Sequence, residues 1–120
     1  MNIKFYGTPE IQAKARWEVG EMTDKGCITD IFKDGDFEIY EHVYKKKNLI
    51  WLPSRYGEVE GWLSGICFEV EHHPFLGGNK PFYSFCGGRQ FRAPSLIEAL
   101  IQLWMWVNFR KVWKEGEWTI

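Results

Sequence analysis

Five side chains near position 70 have the right chemistry for catalysis or metal binding. They are Cys67, Glu69, Glu71, His72 and His73. Strand-like alternation over Ile66 to His73 predicts that Cys67, Glu69, Glu71 and His73 share one face, while Ile66, Phe68, Val70 and His72 share the other. A carboxylate–imidazole set of that kind can move protons or hold a metal ion. Its spacing matches no pattern in which geometry fixes a metal, so the expectation is a polar sheet face with neither metal nor cofactor. His42 lies on the polar side of another run, and only the fold can bring it near this set. A Cys–His nucleophile would need Cys67 or Cys86 beside His72 or His73, and no local signature supports one; buried structural thiols are the expectation. No serine sits in a Gly-x-Ser-x-Gly elbow.

A second group is less reactive but better suited to holding a ligand. Gly87-Gly88-Arg89 is followed by Arg92, with Tyr83, Phe85 and Phe91 close by. Glycine lets backbone N–H groups approach an anion, and a guanidinium grips phosphate through parallel hydrogen bonds. Aromatic faces add a stacking surface for a flat group. The expected ligand-binding set is therefore Tyr83, Phe85, Arg89, Phe91 and Arg92. After the glycine break, a bulge would let Arg89 and Phe91 rejoin the face of Tyr83 and Phe85, with Arg92 turned away.

The elements that must position these residues are legible in outline. Thr8-Pro9-Glu10 is a helix start, with Ile11, Ala15 and Val19 at helical spacing and Gly20 as the stop. Cys27 to Lys33 reads as a strand and Asp34-Gly35 as a tight turn. Asp36 to Tyr44 alternates as one strand, with Phe37, Ile39, Glu41 and Val43 on one face. Leu49 to Leu52 is a short apolar run ended by Pro53, and a short helix carrying Val59, Trp62 and Leu63 follows. Ile66 to His73 and Phe82 to Cys86 form a hairpin around a loop on Gly77-Gly78-Asn79. Ser95 and Glu98 make a capping box for a helix whose apolar residues run nearly all round, from Leu96 to Val107. Glu115-Gly116 is the turn of a last hairpin, with Lys114 facing Glu117 and Trp113 facing Trp118.

The fold class expected is α+β: a small, mainly antiparallel sheet packed on a long apolar C-terminal helix, with one or two short helices, in a single domain over 1–120. About 12 apolar positions in the long helix fall short of the roughly 20 that span a bilayer. So apolar a helix in a short chain suggests a second copy covering part of it, hence a homodimer or higher homo-oligomer. Fifteen basic against sixteen acidic residues leave no basic excess for duplex nucleic acid. Lys45-Lys46-Lys47 reads as a solvated turn. Three cysteines, an odd number, suit reduced thiols, and Met1-Asn2-Ile3-Lys4 carries no apolar signal region; the expected compartment is cytoplasmic.

Trp51-Leu52-Pro53-Ser54 leading into Val59, Trp62 and Leu63, and then Ser95 to Leu100 running on to Val112 to Trp118, resemble one group of proteins. These are the short accessory proteins of phages and prophages of Gram-positive bacteria. They often show a Trp-Leu-Pro element, a short amphipathic segment, a Glu-Ala-Leu helix and sometimes a Trp-containing tail. The resemblance covers roughly the second half of the chain and departs where Gly57 and Gly61 interrupt the middle segment. It implies a context of counter-defence and carries over no catalytic residue. The function expected is non-catalytic sequestration of a nucleotide-derived signal. The alternatives are a protein-binding inhibitor of a host defence enzyme and a small nucleotide hydrolase using Glu71, His72 and His73.

Overall fold

A computed structural model describes residues 3–72 and 82–120. The chain divides into two compact units, Met1–Ser54 and Arg55–Ile120. Antiparallel strands combine with one long helix and a few short ones, so the fold is α+β.

The first unit opens with a single turn, α1 (Ile3–Tyr6), and a short helix, α2 (Pro9–Lys14). Thr8 caps α2 by accepting the Ile11 N–H on its hydroxyl at 3.1 Å. The helix ends well before Gly20, because the backbone turns extended at Ala15. The Trp17 indole N–H then donates to the Gln12 carbonyl at 3.0 Å, filling an acceptor that a longer helix would have filled with backbone. Val19 consequently lies exposed rather than on a buried stripe. Strands β1 (Met22–Thr23) and β2 (Gly26–Cys27) pair with each other, and β1 also pairs with β6 (Trp51–Leu52). Gln12 joins α2 to this sheet: its amide donates to the Trp51 carbonyl at 3.0 Å and its oxygen accepts the Trp51 N–H at 2.8 Å.

Strands β3 (Asp30–Ile31), β4 (Phe37–Ile39) and β5 (His42–Tyr44) form a meander. The single strand expected over Asp36 to Tyr44 is thus a hairpin. It folds back at Tyr40 and Glu41, whose φ angles of 48° and 69° are both positive, as a two-residue type I′ turn requires. Such turns favour Asn-Gly, so this sequence gave no sign of one. The reversal pairs Val43 with Glu38, and Val43 is exposed instead of joining the face of Phe37 and Ile39. Phe37, Ile39, Ile28 and Leu49 make one buried cluster, with Trp17 and Tyr44 against it.

In the second unit, α3 (Tyr56–Glu60) continues into a 3-10 turn over Gly61–Leu63, burying Val59 and Leu63. A three-stranded antiparallel sheet follows: β7 (Glu69–His72), β8 (Phe82–Cys86) and β9 (Arg89–Ala93), with β8 central. Strand β7 is shorter than expected and leaves Ile66, Cys67 and Phe68 outside it. His73 and the loop on Gly77-Gly78-Asn79 lie outside the described residues. Helix α4 (Leu96–Phe109) is capped by Ser95, whose hydroxyl accepts the Glu98 N–H at 3.3 Å and donates to the Glu98 carboxylate at 2.7 Å. Every residue from Ala99 to Met105 is buried, while Leu96, Ile97, Trp106 and Val107 at the two ends of the apolar run are half-buried. No helix among the described residues is long and apolar enough to cross a membrane. Strands β10 (Val112–Lys114) and β11 (Glu117–Thr119) close the chain as a hairpin in the expected register, Trp113 opposite Trp118 and Lys114 opposite Glu117.

Candidate functional site

Two hydrogen bonds fix α4 on the sheet. Ser84, fully buried in β8, donates to the Ala99 carbonyl at 2.8 Å. Gln102 donates to the Arg92 carbonyl at 2.9 Å. Farther on, Trp106 meets Arg89, so the C-terminal end of the helix lies at the start of β9.

That end holds the strongest cationic feature of the unit. The Arg89 guanidinium lies 4.1 Å from the centre of the Trp106 ring, and the Arg110 guanidinium lies 5.0 Å from the same ring. Arg89 is also 6.0 Å from the Phe91 ring. By these distances the two guanidinium carbons are within about 9 Å of each other, close to the roughly 8 Å Debye length at physiological ionic strength. Both arginines are exposed, Trp106 is half-buried, and among the described residues neither arginine has an ion-pair partner.

The backbone explains how each side chain arrives there. Gly87 and Gly88 have φ angles of 56° and 81°, and Cys86 pairs directly with Arg89. The glycines make a two-residue type I′ turn, not a bulge, so β9 keeps strict register with β8. Arg110 terminates α4 in the left-handed region at φ 56°, a conformation that costs a non-glycine residue roughly 1 kcal/mol. Its guanidinium returns to Trp106 one helical turn earlier, and an exposed cation–π contact of about 0.5–1 kcal/mol offsets much of that cost. The negative end of the helix dipole favours both cations as well.

Strict register divides the expected ligand-binding set. Cross-strand partners share a face, and Ser84 marks the face under α4. Phe91 pairs with Ser84 and Arg89 with Cys86, so Phe91 and Arg89 belong to the helix side, where Phe91 is buried. Tyr83 pairs with Arg92 and Phe85 with Gln90 on the opposite side. Tyr83 and Phe85 stack with centroids 6.4 Å apart, but Arg89 does not rejoin them and Arg92 does. Trp106 and Arg110 were missed in sequence. Their spacing of four on a helix was the available signal; the run of apolar residues around Trp106 concealed it.

Of the acid–histidine group, Glu69, Glu71 and His72 fall on the faces expected, and His73 lies outside the described residues. Glu69 and Glu71 share the Tyr83 side of β7, while His72 lies on the other side, stacked on Phe82 at 4.1 Å. Among the described residues no three His, Cys, Asp or Glu side chains could hold a metal ion. No known protein family, curated protein or solved structure matches this chain.

Proposed function

We propose that this protein binds, without transforming it, a small flat phosphorylated molecule of the nucleotide kind, using Arg89, Arg110 and Trp106. One observation carries the reading: two guanidiniums converge on a single indole, with no ion-pair partner for either among the described residues. A guanidinium held by a ring keeps its N–H donors for an acceptor from outside, and an anion within reach of both would gain two charge-assisted contacts. One phosphate, or the two of a diphosphate, suits that reach. Phe109, exposed at the same helix end, offers ring surface for the flat part. The resemblance to phage accessory proteins supplies the setting we propose, sequestration of a nucleotide-derived immune signal in a bacterial cytoplasm. The test is mass spectrometry of small molecules released from the purified protein on denaturation. A phosphorylated compound near one equivalent, depleted in Arg89→Ala and Arg110→Ala, is expected. No phosphorylated compound, or equal amounts from the variants, contradicts the reading.

One observation favours a second reading, inhibition of a host protein by surface contact. Tyr40 is 65% exposed on a turn whose non-glycine residues adopt positive φ, an arrangement costing on the order of 1 kcal/mol per residue. Under this reading Tyr40→Ala abolishes inhibition of the host enzyme and leaves nucleotide binding intact. Inhibition unchanged in Tyr40→Ala counts against it.

A further inference from the structure

The side of the second unit's sheet that carries Tyr83 has an ordered distribution of charge. Its two cross-strand rows read Glu71–Tyr83–Arg92 and Glu69–Phe85–Gln90, from β7 through β8 to β9. Glu69, Glu71, Gln90 and Arg92 are exposed, and the stacked rings of Tyr83 and Phe85 are half-buried between them. Carboxylates thus occupy one edge, hydrogen-bond donors the other, and aromatic rings the middle.

This order is complementary to itself. Two copies laid face to face, with a two-fold axis between them parallel to β8, superpose β7 of each on β9 of the other. Glu71 of one copy then faces Arg92 of the second, Glu69 faces Gln90, and Tyr83 and Phe85 meet their own counterparts on the axis. The two outer pairs, Glu71 with Arg92 and Glu69 with Gln90, match in a single operation. We propose that this sheet face is a two-fold self-association surface, and that its occupant is a second copy of this chain. It is separate from the Arg89–Trp106–Arg110 site, which belongs to the other side of the sheet.

The face is small. Three strands about 4.8 Å apart, one of four residues and two of five, at about 3.3 Å per residue present a few hundred Å², below the roughly 800 Å² per partner of a standard interface. The association is therefore weak, and sensitive to salt.

Sedimentation equilibrium of the intact chain from about 10 µM to 1 mM tests it. The mass should rise from 14.2 kDa toward twice that value across the range. Glu71→Arg alone and Arg92→Glu alone should stay monomeric, because each sets like charges opposite one another. An equimolar mixture of the two should associate again, and so should the double variant. Gln90→Glu, nearly isosteric and at an exposed position, should weaken association severalfold by facing Glu69 of the second copy. Circular dichroism confirms that each variant is folded. A wild type that stays at 14.2 kDa to 1 mM overturns the proposal. So do charge reversals and a Gln90→Glu variant that associate as the wild type does, or folded reversal variants that fail to recover on mixing.

Discussion

Trp106 and Arg89 meet at 4.1 Å because the two-residue turn at Gly87-Gly88 and the back-running helix α4 bring a strand start and a helix end together. The Gly87-Gly88 turn places Arg89, but only the packing of α4 on the sheet brings Trp106 to it. The ring is the support on which both cations depend, and replacing it separates support from charge. Trp106→Ala should weaken binding of a phosphorylated ligand by about tenfold although both arginines remain, and should cost about 2 kcal/mol of stability. Trp106→Phe should recover most of both. Urea denaturation and ligand titration on the same samples measure the two effects; an Ala variant that binds as the wild type does would show that the ring is incidental.

The hairpin at Tyr40-Glu41 makes a prediction of unusual sign. A β-carbon added at Gly26 would lie 2.6 Å from Tyr40 Cε2 and 3.1 Å from Ile39 Cγ2, and Gly26 itself has φ +128°. Glu41→Gly relieves a positive-φ residue and should stabilise the protein by about 1 kcal/mol. Gly26→Ala should destabilise it by 2 kcal/mol or roughly that, from strain and contact together. Chemical denaturation midpoints decide both, and a destabilising Glu41→Gly would show that the turn is held by something other than the Tyr40–Gly26 packing.

The C-terminal hairpin is a structural element of the second unit. Trp113 and Trp118 are half-buried, with ring centroids 5.4 Å apart and their planes at 63°. Removing Val112 to Ile120 should lower the melting temperature by several degrees, since a partly buried large aromatic contributes roughly 1.5 kcal/mol. An unchanged melting temperature would make the hairpin an appendage.

What could be read from sequence here divides along a physical line. The Ser95–Glu98 cap, the Glu115-Gly116 turn and the burial of α4 are local signals, each carried by residues within a few positions, and each was legible. The reversal at Tyr40-Glu41 was not, because neither residue is of a type that favours the positive φ it adopts there. Gly87-Gly88 suits a bulge or a type I′ turn equally. Only the pairing of Cys86 with Arg89 chooses between them, and that choice moves Arg89 away from Tyr83 and Phe85. Arg89 was half visible; its contact with Trp106 depends on α4 packing on β9, whereas Arg110 stands four residues after Trp106 at the end of the same helix.

The most direct test is a calorimetric titration of nucleotides and ADP-ribose derivatives into the wild type and three folded variants, Arg89→Ala, Arg110→Ala and Arg92→Ala. Loss of one charge-assisted contact costs about 1.5–3 kcal/mol, roughly 10- to 150-fold in affinity. The proposed site predicts that loss for Arg89→Ala and for Arg110→Ala, and less than a twofold change for Arg92→Ala on the opposite side of the sheet. Binding that Arg92→Ala weakens while Arg89→Ala and Arg110→Ala leave it within twofold, or no binding of any such compound, would contradict it.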